Sequence, residues 1–475
     1  MNMPIEMNMS TDYLQTLLNN QKSAYQLAPL PSAKHRITQL TALKSALLSN
    51  QDKLVAALNK DYGHRSTQDT LISDIMPCVM NINYTIKNLK KWMKPQRRHA
   101  GLLLSLAKVN VHYQPLGVIG IMAPWNFPVM LSIGPLITAL AAGNRAMIKL
   151  SEFTPATNTV ITRMLASIFN NDTVAVVEGE ADIAAAFSAL AFDHLIFTGS
   201  TTVGRHVMRA AADNLTPVTL ELGGKSPVII ADDMPIETAV ERLIFGKCIN
   251  AGQICVAPDY ILCPEDKVTD FINAYQKQFQ KMYGKELPSK DYGNVINDVQ
   301  HSRLLSWLDD AVEKGATVIS ANNQEINRKS RRLPTQLVTN TTDEMLLMQG
   351  EIFGPILPII GYKKLGEAIS YINERPRPLA LYIMSFDKAI QQELLNKTHS
   401  GGVCINDTIF HVAADDAPFG GVGDSGMGHY HGKEGFLTFS KAKTVLSRGR
   451  LNTGKLVHPP YDGFIQKMML KIFLR

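Results

Sequence analysis

Cys255 is the first candidate for chemistry, because it follows a glycine turn in the segment FGKCINAGQICVAPDYIL. A helix-like run precedes this turn, and a β-rich stretch, DYILC, comes directly after it. Most cysteines are inert packing groups, and a thiol becomes a nucleophile only where its surroundings favour the thiolate. The segment alone therefore leaves two interpretations open, a nucleophile and a buried structural thiol.

Two other residues could act on a carbonyl group attached to that thiol. Glu221 ends the strand-like run VTLEL, and an apolar strand end raises the pKa of a carboxyl group, as a general base near neutral pH requires. Asn126 lies in PWNFP, where prolines on both sides fix the backbone, so its amide could donate to a developing oxyanion. A surface glutamate and a turn-forming asparagine are the competing interpretations.

Two further features could bind a dinucleotide. In FTGSTTVG, Gly199 and Gly204 open a helix whose N–H groups could bind a phosphate, although a plain tight turn explains two glycines equally well. Lys149 closes the strand AMIKL, and Glu152 follows it, so the pair could hold ribose hydroxyls or form a solvated ion pair. Together the candidates fit one reaction, in which a thiol adds to a carbonyl, a dinucleotide accepts hydride and a carboxylate activates water.

The elements that must position these residues alternate between strands and helices from residue 117 onward. Short apolar runs and helical stretches succeed one another as far as VTLEL, with one helix expected from residue 203, and a second such stretch runs from SPVIIA to residue 407. This alternation predicts α/β architecture with a doubly wound parallel sheet, because parallel strands need crossover helices. A helical region over residues 11–60 precedes it, and VNVHYQPLG is expected to form an extended arm.

Composition narrows the class of protein. The 475 residues are 45% hydrophobic and 19% charged, as is ordinary for a globular protein. The net charge is +6, but the basic residues are spread along the chain, so the sequence gives little support for nucleic-acid binding. Five cysteines without CxxC pairs favour neither a disulfide framework nor a zinc site, no metal is expected, and a reducing cytoplasm is the expected location. No signal peptide is evident, and three prolines divide the apolar window 116–143 into a buried strand and helix rather than a membrane span.

The last residues, FIQKMMLKIFLR, have the pattern of a basic amphipathic helix. Five apolar residues from Phe464 to Ile472 share one face, and Lys467, Lys471 and Arg475 share another. Such a helix could lie on a membrane surface. Docking on the body of the protein or on a second subunit is the favoured alternative, because one short helix is a weak anchor.

Six motifs occur in an order that resembles the aldehyde dehydrogenase superfamily over nearly the whole chain: PWNFP, FTGSTTVG, ELGGKSP, NAGQIC, EIFGP and PFGGVGDSGMG. NAGQICVAPDY and RPLALY resemble its class 3 branch, and QPLGVIG, FDHLIFTG and MRAAADNL are similar to the bacterial coniferyl aldehyde dehydrogenases. The resemblance implies oxidation of an aldehyde, aromatic such as coniferyl aldehyde or medium-chain aliphatic, to the acid through a cysteine thiohemiacetal and thioester.

The resemblance also implies roles for particular residues. Cys255 matches the nucleophile, Glu221 the general base, and Asn126 the oxyanion donor together with the Cys255 backbone N–H. The implied cofactor contacts are Lys149 and Glu152 at the adenine ribose, Ser200 at the pyrophosphate, Glu351 and Phe353 at the nicotinamide riboside, and Trp125, Gly199 and Gly204 beside them. NAD is the expected cofactor because Glu152 would repel a 2′-phosphate, and NADP stays open.

The implied organisation is a Rossmann-like cofactor domain over residues 1–224, with residues 100–115 contributing to a β arm that joins two copies into a homodimer. A catalytic domain follows over 225–415, the chain returns to the cofactor domain over 416–445, and residues 446–475 form a C-terminal arm and tail. Three rival functions remain at this stage. They are an acylating dehydrogenase that uses coenzyme A, a cysteine hydrolase without redox chemistry, which needs a histidine partner, and a catalytically silent structural protein.

Overall fold

The N-terminal region is helical in the computed structural model of the chain, which describes residues 11–101, 104, 106–286, 289–451, 453–461 and 463–474. Its helices are α1 (Thr11–Leu27), α2 (Ala33–Ser49), α3 (Gln51–Tyr62), α4 (Thr67–Thr70) and α5 (Met76–Trp92), with a π-helical turn between the last two. Leu40, Leu43 and Leu47 recur at helical spacing in α2 and are fully buried. The helical periodicity predicted for residues 11–60 is therefore confirmed.

Strands and helices then alternate up to Glu221. The elements are β1 (Gln96–Arg98), β2 (Ala107–Pro115), β3 (Val118–Met122), α6 (Met130–Ala142), β4 (Arg145–Lys149), α7 (Pro155–Ala166), β5 (Val174–Val177), α8 (Ala181–Ser188), β6 (His194–Gly199), α9 (Thr201–Ala212) and β7 (Val218–Leu222). α9 begins two residues earlier than predicted, because the Ser200 side chain caps it by accepting from the Val203 N–H at 3.4 Å.

A second alternating stretch completes the chain. It comprises β8 (Pro227–Ile230), α10 (Ile236–Cys248), β9 (Tyr260–Pro264), α11 (Val268–Tyr283), α12 (Asp298–Glu313), β10 (Thr317–Ser320), β11 (Gln336–Thr339), α13 (Leu346–Gln349), β12 (Ile356–Tyr362), α14 (Leu365–Asn373), β13 (Ala380–Met384), α15 (Lys388–Lys397), β14 (Gly402–Ile405), β15 (Gly426–Met427), α16 (Gly432–Thr438), β16 (Ser440–Arg448) and α17 (Phe464–Phe473).

The two larger sheets are mainly parallel. One has six strands in the order β15-β7-β6-β3-β4-β5, with β15 antiparallel to β7, and the other has seven in the order β10-β11-β12-β9-β8-β13-β14, with β10 antiparallel to β11. The predicted α/β class with parallel strands and crossover helices is confirmed. Glu221, Lys149 and Gly199 all lie at carboxyl ends of strands in the six-stranded sheet, where ligands of such sheets bind.

The predicted extended arm is part of a three-stranded antiparallel sheet, β1-β2-β16. β16 pairs with β2 from Ser440 opposite Pro115 to Arg448 opposite Ala107. The boundary predicted between residues 445 and 446 falls inside this strand, so the C-terminal part of the arm begins at Ser440. The other domain boundaries stay predictions.

The apolar window 116–143 is buried inside the protein as expected. Every residue of β3 is buried, and α6 is buried from Ser132 to Ala142. Among the described residues, no helix is both long and apolar enough to cross a bilayer.

Candidate active site

Cys255 lies in a loop whose backbone has an uncommon conformation. After α10, Asn250, Ala251 and Gly252 take positive φ angles of 50°, 52° and 72°. Residues other than glycine are strained at such angles, and the strain persists only where surrounding contacts hold it. A side chain at Gly252 would also clash, since a Cβ atom would lie 2.7 Å from the Gly354 carbonyl oxygen. The glycine of NAGQIC therefore lets this loop approach the EIFGP segment closely.

Gln253 holds this loop from the inside. Its Nε2 donates to the carbonyl oxygens of Asn250 at 2.8 Å and Asn294 at 3.1 Å, and its Oε1 accepts from the Ile296 N–H at 2.9 Å. The side chain is fully buried, so a relaxed loop would leave several polar groups without partners. The position of Cys255 is therefore fixed before any substrate arrives.

The Cys255 thiol is half-buried, unlike the other four cysteines, which are buried; all five are free. Burial, followed by the charges of Glu351 and Glu221, raises the pKa of Cys255 to about 12, while the backbone N–H groups of Cys255 and Val256 act in the opposite direction. The thiol is consequently neutral at neutral pH. Attack on a carbonyl requires that proton to leave.

Glu221 is buried at the end of β7, opposite Gly426 of β15. Its negative charge acts on the Cys255 thiol. Neither carboxyl oxygen has a hydrogen-bond partner among the described residues. Burial raises the pKa of Glu221 well above its ordinary value, because nothing compensates the charged form. Once ionised, this carboxyl group can accept a proton from water, which is the role that the sequence interpretation requires.

Asn126 is held at both its backbone and its side chain. Its carbonyl oxygen accepts from Arg65 Nη1 at 3.0 Å, Tyr62 Oη at 3.1 Å and Asn250 Nδ2 at 3.1 Å. Its own Nδ2 donates to the Gln253 carbonyl oxygen at 3.2 Å. One N–H of the carboxamide is thereby occupied, and the other is available to an oxyanion.

Sequence reasoning missed the groups that support Asn126. Arg65 and Asp74 form a fully buried ion pair at 2.8 Å, and Asp74 Oδ1 also accepts from the backbone N–H groups of Val129 and Met130 at 3.1 and 3.0 Å. The pair therefore ties the helical N-terminal region to both sides of the PWNFP loop. No local pattern indicated it, because the partners lie more than fifty residues from the loop.

One cavity of about 760 Å³ brings most of the predicted residues together. Of the predicted set, its lining includes Cys255, Glu221, Asn126, Trp125, Gly199, Ser200, Glu351 and Phe353. Lys149, Glu152 and Gly204 are not part of this lining.

Glu351 and Phe353 reach the cavity through close contact with other motifs. A Cβ atom at Gly223 would lie 1.8 Å from Glu351 Oε2, so the glycine after Glu221 makes room for this carboxylate. Burial raises the pKa of Glu351 to about 8. Phe353 has a φ of 47°, and its ring meets that of Trp125 edge-on at a centroid distance of 5.3 Å.

Lys225 and Asp259 form an ion pair that sequence reasoning also missed. Lys225 Nζ donates to the carbonyl oxygens of Leu347 at 2.8 Å and Gly350 at 3.0 Å, and Asp259 Oδ1 accepts from the Ile352 N–H at 2.9 Å. The pair joins the ELGGKSP, APDY and EIFGP segments. The available signal was a charged residue inside each of two motifs, but their pairing requires the fold.

Gly204 has a packing role that differs from the predicted cofactor contact. A Cβ atom there would lie 2.6 Å from Leu222 Cδ2, so glycine lets α9 approach β7 closely. The start of α9 at Ser200 does line the cavity. The glycine-rich turn therefore offers a helix N-terminus through Ser200 and not through Gly204.

Lys149 and Glu152 lie 3.6 Å apart at the end of β4, and Lys149 Nζ also donates to the Leu150 carbonyl oxygen at 2.8 Å. Burial lowers the pKa of Lys149, while Glu152, Glu180 and Glu178 raise it. The ion pair considered from the sequence is present. It stands in a region of negative charge, and a ribose contact there stays a prediction.

Comparison with known proteins identifies the family. The sequence pattern described as "Aldehyde dehydrogenase family" matches residues 9–445. The chain belongs to the aldehyde dehydrogenase family. It is an oxidoreductase that oxidises an aldehyde to the carboxylic acid with a nicotinamide cofactor, which rules against the hydrolase and silent-protein alternatives.

Individual relatives support the assignment of this aldehyde dehydrogenase. It is 54% identical over 464 residues to a protein of Pseudomonas aeruginosa named "Probable coniferyl aldehyde dehydrogenase", covering 97% of this chain and 96% of that one. A structure of Staphylococcus aureus AldH in a substrate-bound state has a TM-score of 0.92 at 38% identity and covers 97% of this chain and 99% of the other. Betaine aldehyde dehydrogenase of Staphylococcus aureus, solved with NAD⁺, has a TM-score of 0.83 at 26% identity, covering 93% and 89%.

The cavity of this aldehyde dehydrogenase fits a nicotinamide dinucleotide. The N-terminus of α9 at Ser200 offers N–H groups and a positive dipole end to phosphates, and Arg205, ion-paired with Asp424 at 3.0 Å, also lines the cavity. The half-buried carboxyl group of Glu351 offers an acceptor for ribose hydroxyls, and Trp125 borders the same space. When bound, the nicotinamide ring accepts a hydride from the aldehyde carbon.

Proposed function

We propose that Cys255, Asn126 and Glu221 carry out the aldehyde oxidation, as nucleophile, oxyanion donor and general base. The observation that carries this proposal is their presence in one cavity, with a half-buried thiol, a fixed carboxamide and a carboxyl group without a partner. The Cys255 thiol gives up its proton to solvent water as Sγ bonds to the aldehyde carbon, and the resulting oxyanion accepts hydrogen bonds from Asn126 Nδ2 and the Cys255 N–H. Transfer of hydride from that carbon to a bound nicotinamide would leave a thioester on Cys255.

Glu221 then removes a proton from water, and the hydroxide attacks the thioester carbon to release the carboxylate and free the thiol. The unpartnered carboxyl group of Glu221 favours water over coenzyme A as the acceptor of the acyl group. Steady-state oxidation should be equal with and without coenzyme A, and the product should be the free acid. A rate that depends on coenzyme A, with an acyl thioester as product, would support the acylating alternative instead.

We propose an aromatic aldehyde as the preferred substrate. The rings of Phe245, in α10, and Phe410 stack at a centroid distance of 6.1 Å with an interplanar angle of 13°. Thr408 Oγ1 donates to the Arg242 carbonyl oxygen at 3.1 Å and so fixes the Phe410 loop to the helix that leads into the Cys255 turn. The name of the Pseudomonas aeruginosa relative also points to an aromatic aldehyde.

Replacing Phe410 with alanine should raise the KM for coniferyl aldehyde and benzaldehyde about tenfold, because a ring contact of this kind contributes about 0.5–1.5 kcal/mol beyond its burial. The KM for acetaldehyde should change little. The measurement is a kinetic panel of aromatic, medium-chain and short aldehydes. Phe473→Ala, at a phenylalanine of similar exposure outside the family match, is the matched control. Equal changes for aromatic and short aldehydes would contradict an aromatic site at Phe410.

We propose NAD as the preferred form of the nicotinamide cofactor, with the adenine ribose near Lys149 and Glu152. The charges of Glu152, Glu178 and Glu180 all act on Lys149. These carboxylates oppose a 2′-phosphate, which carries negative charge, more than a 2′-hydroxyl.

Replacing Glu152 with glutamine should lower the preference for NAD over NADP about tenfold, mainly by improving kcat/KM for NADP, because one repelling charge is removed. The comparison requires kcat/KM for both cofactors at one saturating aldehyde concentration. Glu241→Gln, an exposed carboxyl on α10, provides the control for loss of one negative charge. An unchanged ratio would place the 2′ position away from Glu152.

The homodimer and the cytoplasmic location also stay proposals. The sheet β1-β2-β16 supports a dimerisation arm, because β16 is an edge strand whose residues from Lys441 to Arg448 are exposed or half-buried. Free thiols at all five cysteines support a reducing compartment.

A further inference from the structure

The positive charge of the chain is concentrated in residues 440–475, here termed the C-terminal segment. The segment contains eight Lys or Arg residues and one acidic residue, a net charge of +7, whereas residues 1–439 have a net charge of −1. The basic residues are spread along the chain as expected from the sequence. The net charge is not, because acidic residues balance the basic ones in residues 1–439. The basic residues are Lys441, Lys443, Arg448, Arg450, Lys455, Lys467, Lys471 and Arg475.

This charge faces solvent. Within the described part of the segment, every lysine and arginine is exposed. None of the residues that line the active-site cavity lies in the segment, and the match to the family ends at residue 445. The aldehyde oxidation thus leaves the charge of the segment unexplained.

Helix α17 adds an exposed apolar surface to the charge. Phe464, Ile465, Met468 and Ile472 are 79%, 55%, 49% and 58% exposed, and none of the helix residues is buried. In the part of the chain that the structure describes, α17 is therefore not packed against the body of its own subunit. Apolar side chains grouped in this way indicate an interaction surface.

We propose that the C-terminal segment binds the surface of a bilayer that contains anionic lipids, with α17 lying in the boundary between headgroups and acyl chains. Lys467 and Lys471 are one helical turn apart, next to the apolar face that begins at Phe464 and Ile465. An amphipathic helix of this kind binds through buried apolar area together with attraction of its basic residues to anionic headgroups. The remaining basic residues add the second signal that a short helix needs for stable binding.

A second copy of the chain is the less suitable occupant. Two copies of α17 brought face to face would place Lys467 and Lys471 of one beside the same lysines of the other, and residues 1–439 of a partner carry a net charge of only −1. A bilayer with anionic lipids supplies both the apolar region and a dense negative charge. Charge complementarity therefore favours the membrane.

The test is co-sedimentation of the full-length protein with vesicles of phosphatidylcholine alone and of phosphatidylcholine mixed with phosphatidylglycerol. We expect at least about tenfold stronger partition onto the anionic vesicles, and loss of most of this binding at about 0.5 M salt, where surface charges are screened. Equal partition onto both vesicles, or none onto either, would overturn the proposal.

Matched variants assign the binding to α17. Lys467→Gln with Lys471→Gln should weaken partition about 10- to 30-fold, because each lysine near an anionic surface contributes about 1 kcal/mol. Lys87→Gln with Lys90→Gln removes the same charge from an exposed face of α5 and should leave partition unchanged. Similar behaviour of the two double variants would refute a specific role of the helix.

The apolar face has its own test. The triple variant Ile465→Ser, Met468→Ser and Ile472→Ser should lose vesicle binding while its aldehyde oxidation and its oligomeric state in sedimentation velocity stay as in the parent. A triple variant that dissociates into smaller species yet still binds vesicles would show that a second copy covers this face, and the proposal would be wrong.

Discussion

Replacing Cys255 with alanine is expected to lower kcat/KM for aldehyde oxidation at least about 10⁴-fold, because no other group in the cavity can form the thiohemiacetal. The neighbouring candidates cannot substitute for it. Neither the carboxyl group of Glu221 nor the carboxamide of Asn126 carries the sulfur that a thiohemiacetal needs, and Asn126 Nδ2 already donates to the Gln253 carbonyl oxygen. The measurement is aldehyde-dependent NADH absorbance, accompanied by titration of NAD binding to show that the cavity is intact.

Cys248→Ala is the matched control for this experiment. Cys248 lies seven positions before Cys255, is buried, and its Sγ contacts Tyr275 Oη at 3.5 Å and Thr335 Oγ1 at 3.6 Å. Its loss should lower stability slightly and leave the chemistry unchanged. Full activity in Cys255→Ala, or loss of activity in Cys248→Ala alone with an intact fold, would contradict the assignment of the nucleophile.

Local patterns were sufficient to predict the order of strands and helices. The alternation of short apolar runs with helical stretches placed β3 to β7 and the helices between them, because each element buries a face that its own residues define. Glu221 is an example, since its place after a β-branched run and before two glycines left a buried carboxyl group at a strand end and a surface glutamate as the two interpretations. The fold confirms this burial.

Contacts between distant segments could not be predicted in this way. The Arg65 and Asp74 pair that supports Asn126, and the packing of Gly223 against Glu351, depend on how separate elements meet. Gly204 lies in a phosphate-binding pattern and also packs closely against Leu222, and its contact with the cofactor stays a prediction. A glycine near a helix N-terminus serves either role, and the sequence alone does not distinguish them.

Glu221→Gln is expected to uncouple the two halves of the reaction. The amide has the size of the carboxyl group but cannot accept a proton from water, so the first half should proceed and hydrolysis of the Cys255 thioester should fail. Rapid mixing with aldehyde should therefore give a burst of about one NADH per active site, followed by a steady state about 10²- to 10³-fold slower than the parent. A variant without a burst, or with an unchanged steady state, would exclude Glu221 as the base for hydrolysis.

The pH dependence of this variant gives an independent readout. Burial raises the pKa of Glu221 above 4.5, so the parent's steady-state rate should rise with pH as the carboxyl group ionises. This rise of the rate with pH should be absent in the variant.

The same pKa shift affects stability. Between the ordinary and the raised pKa, the unfolded chain releases a proton that the folded chain keeps. The free energy of unfolding of the parent should therefore fall with increasing pH by up to about 1.4 kcal/mol per pH unit in that window. Glutamine does not titrate, so the free energy of unfolding of the variant, measured by denaturation, should rise relative to that of the parent as pH increases. Parallel curves for Glu221→Gln and the parent would mean that the carboxyl group is ionised in the folded protein, and water activation at a raised pKa would then be wrong.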